Sequence, residues 1–401
     1  MRGRTPGRGA ADGPGPRPVS EAVLAELTAW RRDFHRHPEF GFAEHRTAGL
    51  VAERLRACGV AVAEGVGGTG VVGTLARGDG RRAIALRADM DALRIPEEGD
   101  RPHRSGTPGL MHACGHDGHT TMLLGAARVL AAEGGFSGTV RFLFQPAEEW
   151  GRGAGAMIDD GLMARFPFDE VYGLHARPGL AVGRFETRPG PIMSAEDLFE
   201  IVLRGLGGHA AQPHEAREVL VAACALVMDL QTLVSRRIAP TETAVVSVTE
   251  LTTDGTRNAL PGLARIRGDA RSFRPAVSAR IEAEMRRVAA GIATAYACTA
   301  EVAYTREFVP TVNDPAVTQA ALAAARAALG EDRVEVMPEP HTGSEDFARF
   351  LAHAPGCFAF LGNGEASRPL HNPAFDFDDA AIPHGIAYFV ALARRRLPAG
   401  P

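Results

Sequence analysis

Between His112 and His119 the chain carries three histidines, a cysteine and an aspartate: His112, Cys114, His116, Asp117 and His119. Imidazole and thiolate are borderline-to-soft donors that suit Zn, Fe, Co, Ni or Cu. A lone histidine is more often a packed or capping residue, but five such groups together point to a metal. Spacing alone leaves His112, Cys114, His116 and His119 open as ligands. No second cysteine pair lies nearby, which argues against a zinc finger. The glycines of this run predict a loop that leads into a helix at Thr120.

Two adjacent carboxylates, Glu148 and Glu149, follow the apolar run TVRFLF. Such a pair repels itself unless a proton or a cation neutralises it. Adjacent residues leaving a strand can point in different directions. One can then hold a metal while the other serves as general base toward water. Asp89 and Asp91 close the run AIALRADMD, and His175 closes VYGLHA. His371 in PLHNPAF and His209 in GLGGHAAQPH stand alone on predicted loops. His209, flanked by glycines, is accessible and could stabilise an oxyanion. Asn258 and Arg271 follow in the same region, where a buried arginine could grip a substrate carboxylate in bidentate fashion.

These groups need a scaffold that gathers them. Helices are expected over residues 20–37 and 44–58, the first capped by Ser20. Apolar β-rich runs at 69–76, 83–90, 139–144 and 170–176 alternate with the helical stretch HTTMLLGAARVLAAEG. That alternation indicates an α/β sheet packed by helices on both faces, with ligands at strand carboxyl ends. From about residue 190 the pattern changes. Strand 197–205, helix 215–236, strands 243–251 and 263–273, helix 277–297 and strand 299–305 spell βαββαβ, a ferredoxin-like order. The expected organisation is a discontinuous metal-binding domain over residues 19–190 and 306–401, with an inserted small domain over 191–305.

The chain has 401 residues, 44 of them basic and 48 acidic, for a net charge of −4. No basic field is present to recruit nucleic acid. No apolar run reaches the ~20 residues that span a bilayer. The Gly-, Pro- and Arg-rich residues 1–18 read as a disordered tail without the apolar segment of a signal peptide. Five widely spaced cysteines make a disulfide framework improbable and fit a reducing, cytoplasmic setting.

The motifs RRDFHRHPEFGFAEHRT, LRADMDAL, MHACGHDGHT, FQPAEE, GLHARP, GLGGHAAQPH, VSRRIAP, GSEDF and LHNPAFDFDD occur in this order between Trp30 and Phe389. Together they resemble the M20-type metallo-amidohydrolases, in the branch of hippurate hydrolase and the indoleacetyl-amino-acid hydrolases. The resemblance implies that Cys114, His116, Glu149, His175 and His371 bind one or two divalent ions per subunit, whether Zn, Mn, Co or Ni. It implies Glu148 as general base toward a metal-activated water, with His209 helping to polarise the carbonyl. It associates Asn258, Arg271 and Gly343 with substrate, and Asp89 with orienting a ligand. It also implies a small-molecule amide substrate and a homodimer formed through the inserted lid domain. Three stretches depart from the family pattern: Asn-Ala-Leu-Pro-Gly at 258–262, the preceding TTDGT, and Ala-Arg-Glu-Val at 216–219. All lie in the inserted domain and bear on specificity rather than on metal chemistry. The leading reading is hydrolysis of an N-acyl amino acid or related small amide. A dipeptidase or small-peptide carboxypeptidase, and a non-catalytic metal-dependent binding protein, are the alternatives.

Overall fold

The computed structural model describes residues 19–399, so the tail expected over residues 1–18 lies outside the described residues. The chain forms two compact units. One comprises residues 19–187, Pro315–Val336 and the segment from Ala354 onward; the other comprises Arg188–Asp314 and Met337–His353.

The first unit is built on a mixed eight-stranded sheet. Its order is Ala61–Val66, Gly70–Arg77, Gly138–Gln145, Ala83–Asp89, Glu170–Arg177, Gly356–Gly362, Phe185–Thr187 and Val334–Val336. The four strands in the middle, from Gly138–Gln145 to Gly356–Gly362, run parallel. They are apolar at nearly every position rather than at alternate ones, as strands covered on both faces must be. Helix His116–Glu133 is buried almost without interruption from His116 to Ala127. It packs on the central strands and against helices Glu21–Arg36 and Ile382–Arg396. Ser20 caps the first of these flanking helices, its hydroxyl accepting from the Val23 N–H at 3.4 Å.

Glu170 anchors the C-terminal helix to the sheet. Its carboxylate accepts from Arg396 Nε at 2.8 Å and from the Tyr172 hydroxyl at 2.7 Å, and it also pairs with Arg82. Burial opposes the ionised form, but the bonds from Arg396 and Tyr172 outweigh it and hold this carboxyl below its ordinary range.

The second unit follows the βαββαβ order. Its four-stranded antiparallel sheet runs Ala244–Thr253, Leu263–Ser272, Ala195–Arg204, Thr299–Phe308. Helices Val219–Thr232 and Pro275–Ala295 pack on it and on each other around a separate core that includes Phe199, Ile201, Leu226, Ile266, Ile281 and Met285. Val219–Arg237 is long and apolar enough to cross a bilayer by length and composition. It changes to a π-helical turn at Leu233, and its Val219, Ala222, Ala223, Leu226 and Leu230 are buried in this core.

The unit boundaries differ from the sequence expectation. Residues 306–314 and 337–353, expected in the metal-binding domain, group with the second unit. Backbone pairing explains this. Thr311–Asn313 pairs with Gly190–Met193, the His341 N–H donates to the Ile192 carbonyl at 2.8 Å, and the Ser194 N–H donates to the Gly343 carbonyl at 2.8 Å.

Because the Glu170 carboxyl is lowered on folding, its contribution is complete above the unfolded value near ~4.3 and disappears as pH falls through the folded value. Glu170→Gln should lower unfolding free energy at neutral pH by about 1–3 kcal/mol. In denaturant titrations, the gap from wild type should close only in acid.

Candidate metal centre

Three adjacent parallel strands deliver polar groups to one edge of the sheet. Ala83–Asp89 ends in Asp89 and continues to Asp91, Gly138–Gln145 continues to Glu148 and Glu149, and Glu170–Arg177 carries His175 near its end. The helix holding His116 begins there too. It starts at His116 rather than at the expected Thr120, because Gly115 takes a left-handed conformation (φ 91°) at the N-cap. His116 and His119 therefore share the first turn.

The carboxylate loop is bent by its backbone. Ala147 is left-handed (φ 46°), and residues Glu148–Trp150 make one 3₁₀ turn. Glu44 holds this bend: its Oε1 accepts the Ala147 N–H at 2.8 Å, and its Oε2 accepts the Thr69 hydroxyl at 2.5 Å. Gly153 closes the loop so tightly that a Cβ there would lie 1.5 Å from the Pro146 carbonyl oxygen. The bend changes where the two glutamates point. They were expected to diverge, yet Glu148 Oε2 and Glu149 Oε1 each lie 3.9 Å from His116 Nε2.

Two groups of donors share His116. One joins it with Asp89, His119 and His175, the other with Cys114 and Glu149; within each group the donor atoms lie within 4.8 Å of one another. Cys114 Sγ is 3.4 Å from His175 Nε2, which links the groups, and His371 Nε2 is 3.3 Å from Glu149 Oε2. His371 itself has φ 62°, and its N–H donates to the Ala113 carbonyl at 2.8 Å. All five ligands expected from the sequence thus come together.

The ring nitrogens separate the alternatives that spacing left open. His116 Nδ1 faces the Asp91 carbonyl at 2.9 Å and Asp91 Oδ1 at 3.2 Å, which leaves Nε2 for the cluster. His175 Nδ1 faces the Ala176 carbonyl at 2.8 Å, which leaves Nε2 facing Cys114. His119 has no nitrogen to spare, since Nδ1 meets Asp89 Oδ1 at 2.6 Å and Nε2 accepts the Ala176 N–H at 2.8 Å. His112 stays outside both groups, and burial lowers it to about 4, so it is neutral.

Asp89 accordingly braces His119, and its other oxygen accepts from Arg87 at 2.6 Å. The residue that orients His116 is Asp91, whose Oδ2 also accepts the Glu149 N–H at 3.1 Å. Sequence reading gave Asp91 no role. The signal was the Asp-Met-Asp spacing, which puts both carboxylates on one side of an extended chain. Glu44 carried no signal, because an acid before a helix reads as an exposed residue. Beneath the helix start, Asp117 Oδ2 meets His35 Nδ1 at 2.8 Å and Arg31 at 3.5 Å. Burial disfavours charge on His35, but hydrogen bonds to Asp117 and Glu97 overcome this and raise it to about 9.

The electrostatics call for a cation. Burial opposes charge on His116, but Asp89 and Asp91 raise it to about 10. Burial, then Glu149, Glu148 and Asp89, push the Cys114 thiol well above its ordinary value. His116 Nε2 and Glu149 Oε1 face each other at 3.9 Å, both buried and without a hydrogen-bond partner among the described residues. Each orphaned polar atom of this kind costs about 1–3 kcal/mol. One divalent ion between them satisfies both and supplies the charge that a thiolate requires. The residues present fit a metal.

Residues 85–395 match the sequence profile described as Peptidase family M20/M25/M40. The chain belongs to this family. As an M20 member it is a metal-dependent hydrolase of amide bonds. It is 37% identical to the hippurate hydrolase of Campylobacter jejuni, covering 94% of this chain and 97% of the relative. It is 38% identical to thermostable carboxypeptidase 1 of Saccharolobus solfataricus, over 92% and 96% of the two chains. Among solved structures, a dinuclear metal-binding M20 peptidase of Bacillus subtilis superposes with a TM-score of 0.83 at 33% identity, over 94% and 99%.

In the second unit of this M20 hydrolase, His209 lies next to Asn258. The Ala211 N–H donates to His209 Nδ1 at 3.0 Å, and the Ala210 N–H donates to the Asn258 carbonyl at 3.1 Å. Arg271, expected to be a free buried guanidinium, is instead partly exposed and engaged by Asp269 at 2.7 Å, Glu196 at 3.0 Å and Ser344, the neighbour of Gly343, at 3.2 Å.

Metal stripped by chelation and restored as Zn or Mn should raise the thermal midpoint, by about 2.7 kcal/mol of stability at a free ion concentration 100 times Kd. His116→Ala should abolish that increment. Gly153→Ala, which forces the glutamate loop outward, should cost about 1–3 kcal/mol or more and reduce bound metal measured by elemental analysis.

Proposed function

We propose that this chain hydrolyses the amide bond of N-acyl amino acids, with Glu148 as general base. The observation that carries the proposal is the position of Glu148. It is buried and 3.9 Å from His116 Nε2, yet it belongs to neither donor group built on His116. That is where a carboxylate able to exchange a proton beside the metal belongs. A divalent cation held by Cys114, His116, Glu149, His175 and His371 supplies Lewis acidity to the carbonyl and acidifies nearby water. Glu148 takes the proton of the attacking water and returns it to the departing amine. His209 accepts the Ala211 N–H at Nδ1, so Nε2 carries the ring proton and can donate to a carbonyl oxygen. The same reading gives Asn258, Arg271 and Gly343 to substrate binding.

The relative named hippurate hydrolase supports an N-acyl amino acid as substrate. The relative named carboxypeptidase supports a second reading in which a short peptide is cut by the same residues. A panel of N-acetyl, N-benzoyl and dipeptide substrates separates the two. Glu148→Gln should lower kcat by about 10²–10⁴ while bound metal stays at the wild-type level; turnover within a few-fold of wild type would refute the general-base role.

A homodimer through the second unit belongs to this proposal. Leu220, Val221 and Met228 are exposed on helix Val219–Thr232, and Ala244–Thr253 is an unpaired sheet edge. Light scattering should report twice the chain mass, and Val221→Lys with Met228→Glu should shift it to the monomer.

A further inference from the structure

The 3₁₀ turn that carries Glu148 and Glu149 ends in Trp150, whose indole is 42% exposed. Trp150 belongs to neither hydrophobic core. The fold therefore gives it no packing role that would explain so large an apolar group at the surface. Its ring is nonetheless held in place. Phe40 meets it edge-on with centroids 4.8 Å apart, and Phe42 does so at 6.4 Å. The Arg94 guanidinium sits 4.0 Å from the Phe40 ring centroid.

This aromatic ledge is part of the frame that holds the ligands. Phe40 bridges to Ala92, the residue after Asp91, and the Ala92 N–H donates to the Glu39 carbonyl at 2.8 Å. Gly41 lets the same segment approach Ala147, where a Cβ would come within 3.0 Å. The ledge is also on the open side of the cluster. Cys114, His116 and His175 are buried, whereas the His371 side chain is 53% exposed and joins the cluster through Glu149. Trp150 is the next residue beyond Glu149.

We propose that Trp150, backed by Phe40, is a specificity-determining platform for the acyl group, and that it makes this chain prefer aromatic N-acyl substrates to acetyl ones. The inference rests on the amidohydrolase reading above. An aryl ring can lie edge-on or offset against the exposed indole, which an acetyl methyl group is too small to cover. Orientation of the acyl group beside Glu148 then favours the aryl substrate in kcat/KM.

The test compares kcat/KM for N-benzoylglycine and N-acetylglycine in the metal-loaded wild type, Trp150→Ala and Trp150→Phe. The benzoyl-to-acetyl ratio should fall about tenfold or more in Trp150→Ala and largely persist in Trp150→Phe; an unchanged ratio in Trp150→Ala overturns the proposal. Binding gives a readout independent of turnover. The chain has two tryptophans, so Trp30→Phe leaves Trp150 as the sole indole. In a metal-loaded Trp30→Phe, Glu148→Gln protein, N-benzoylglycine should quench its fluorescence saturably and N-acetylglycine should not. Failure of the wild type to hydrolyse either compound would remove the amidohydrolase reading, whereas equal quenching by both would remove the platform.

Discussion

Around one imidazole nitrogen, His116 Nε2, the fold packs the carboxylates of Asp89, Glu148 and Glu149 within 4 Å and buries all of them from water. Charges of one sign at this density are not stable alone in a low-dielectric interior. The polypeptide answers locally by raising His116 toward its protonated form and by keeping the Cys114 thiol protonated. A divalent ion performs the same neutralisation with ligands already in position. The parallel strands, the helix start and the bent glutamate loop all serve to maintain this crowding.

Maintaining it requires support one layer further out. Asp91 fixes the His116 ring and the Glu149 backbone at once, so donor direction and loop position are set by a single carboxylate. Glu44 restrains Ala147, and Asp117 with Arg31 and His35 secures the helix start. Such outer contacts determine which nitrogen of each imidazole is available. His119 is the clearest case: both of its nitrogens are committed, which makes it a brace for Asp89 rather than a donor to an ion.

The sheet and the clustering of the site were legible in the sequence because both rest on local pattern. Continuous apolar strands ended in Asp89, Glu148–Glu149 and His175, and the βαββαβ order appeared in the spacing of apolar runs. What the sequence did not reveal depends on contacts between distant segments. His119 could be set apart from His116 only through the Ala176 N–H, and Asp91 gained its role only through the Glu149 backbone. The helix start at His116 hinges on Gly115 adopting a left-handed backbone, a state glycine permits but does not announce. Segment 337–353 joined the second unit through single backbone hydrogen bonds at His341 and Gly343, which leave no periodic trace.

The parallel core of the first unit is interrupted in sequence by nearly all of the second. Strand Gly356–Gly362 inserts between Glu170–Arg177 and Phe185–Thr187, and Arg396 then reaches back to Glu170. During synthesis, the edge of Glu170–Arg177 must wait for a partner that emerges only after the second unit's main segment, Arg188–Asp314, has left the ribosome. An apolar strand with an open edge is prone to mispairing in that interval. Cotranslational protection of this edge, rather than the stability of the finished fold, sets the hazard in producing the chain.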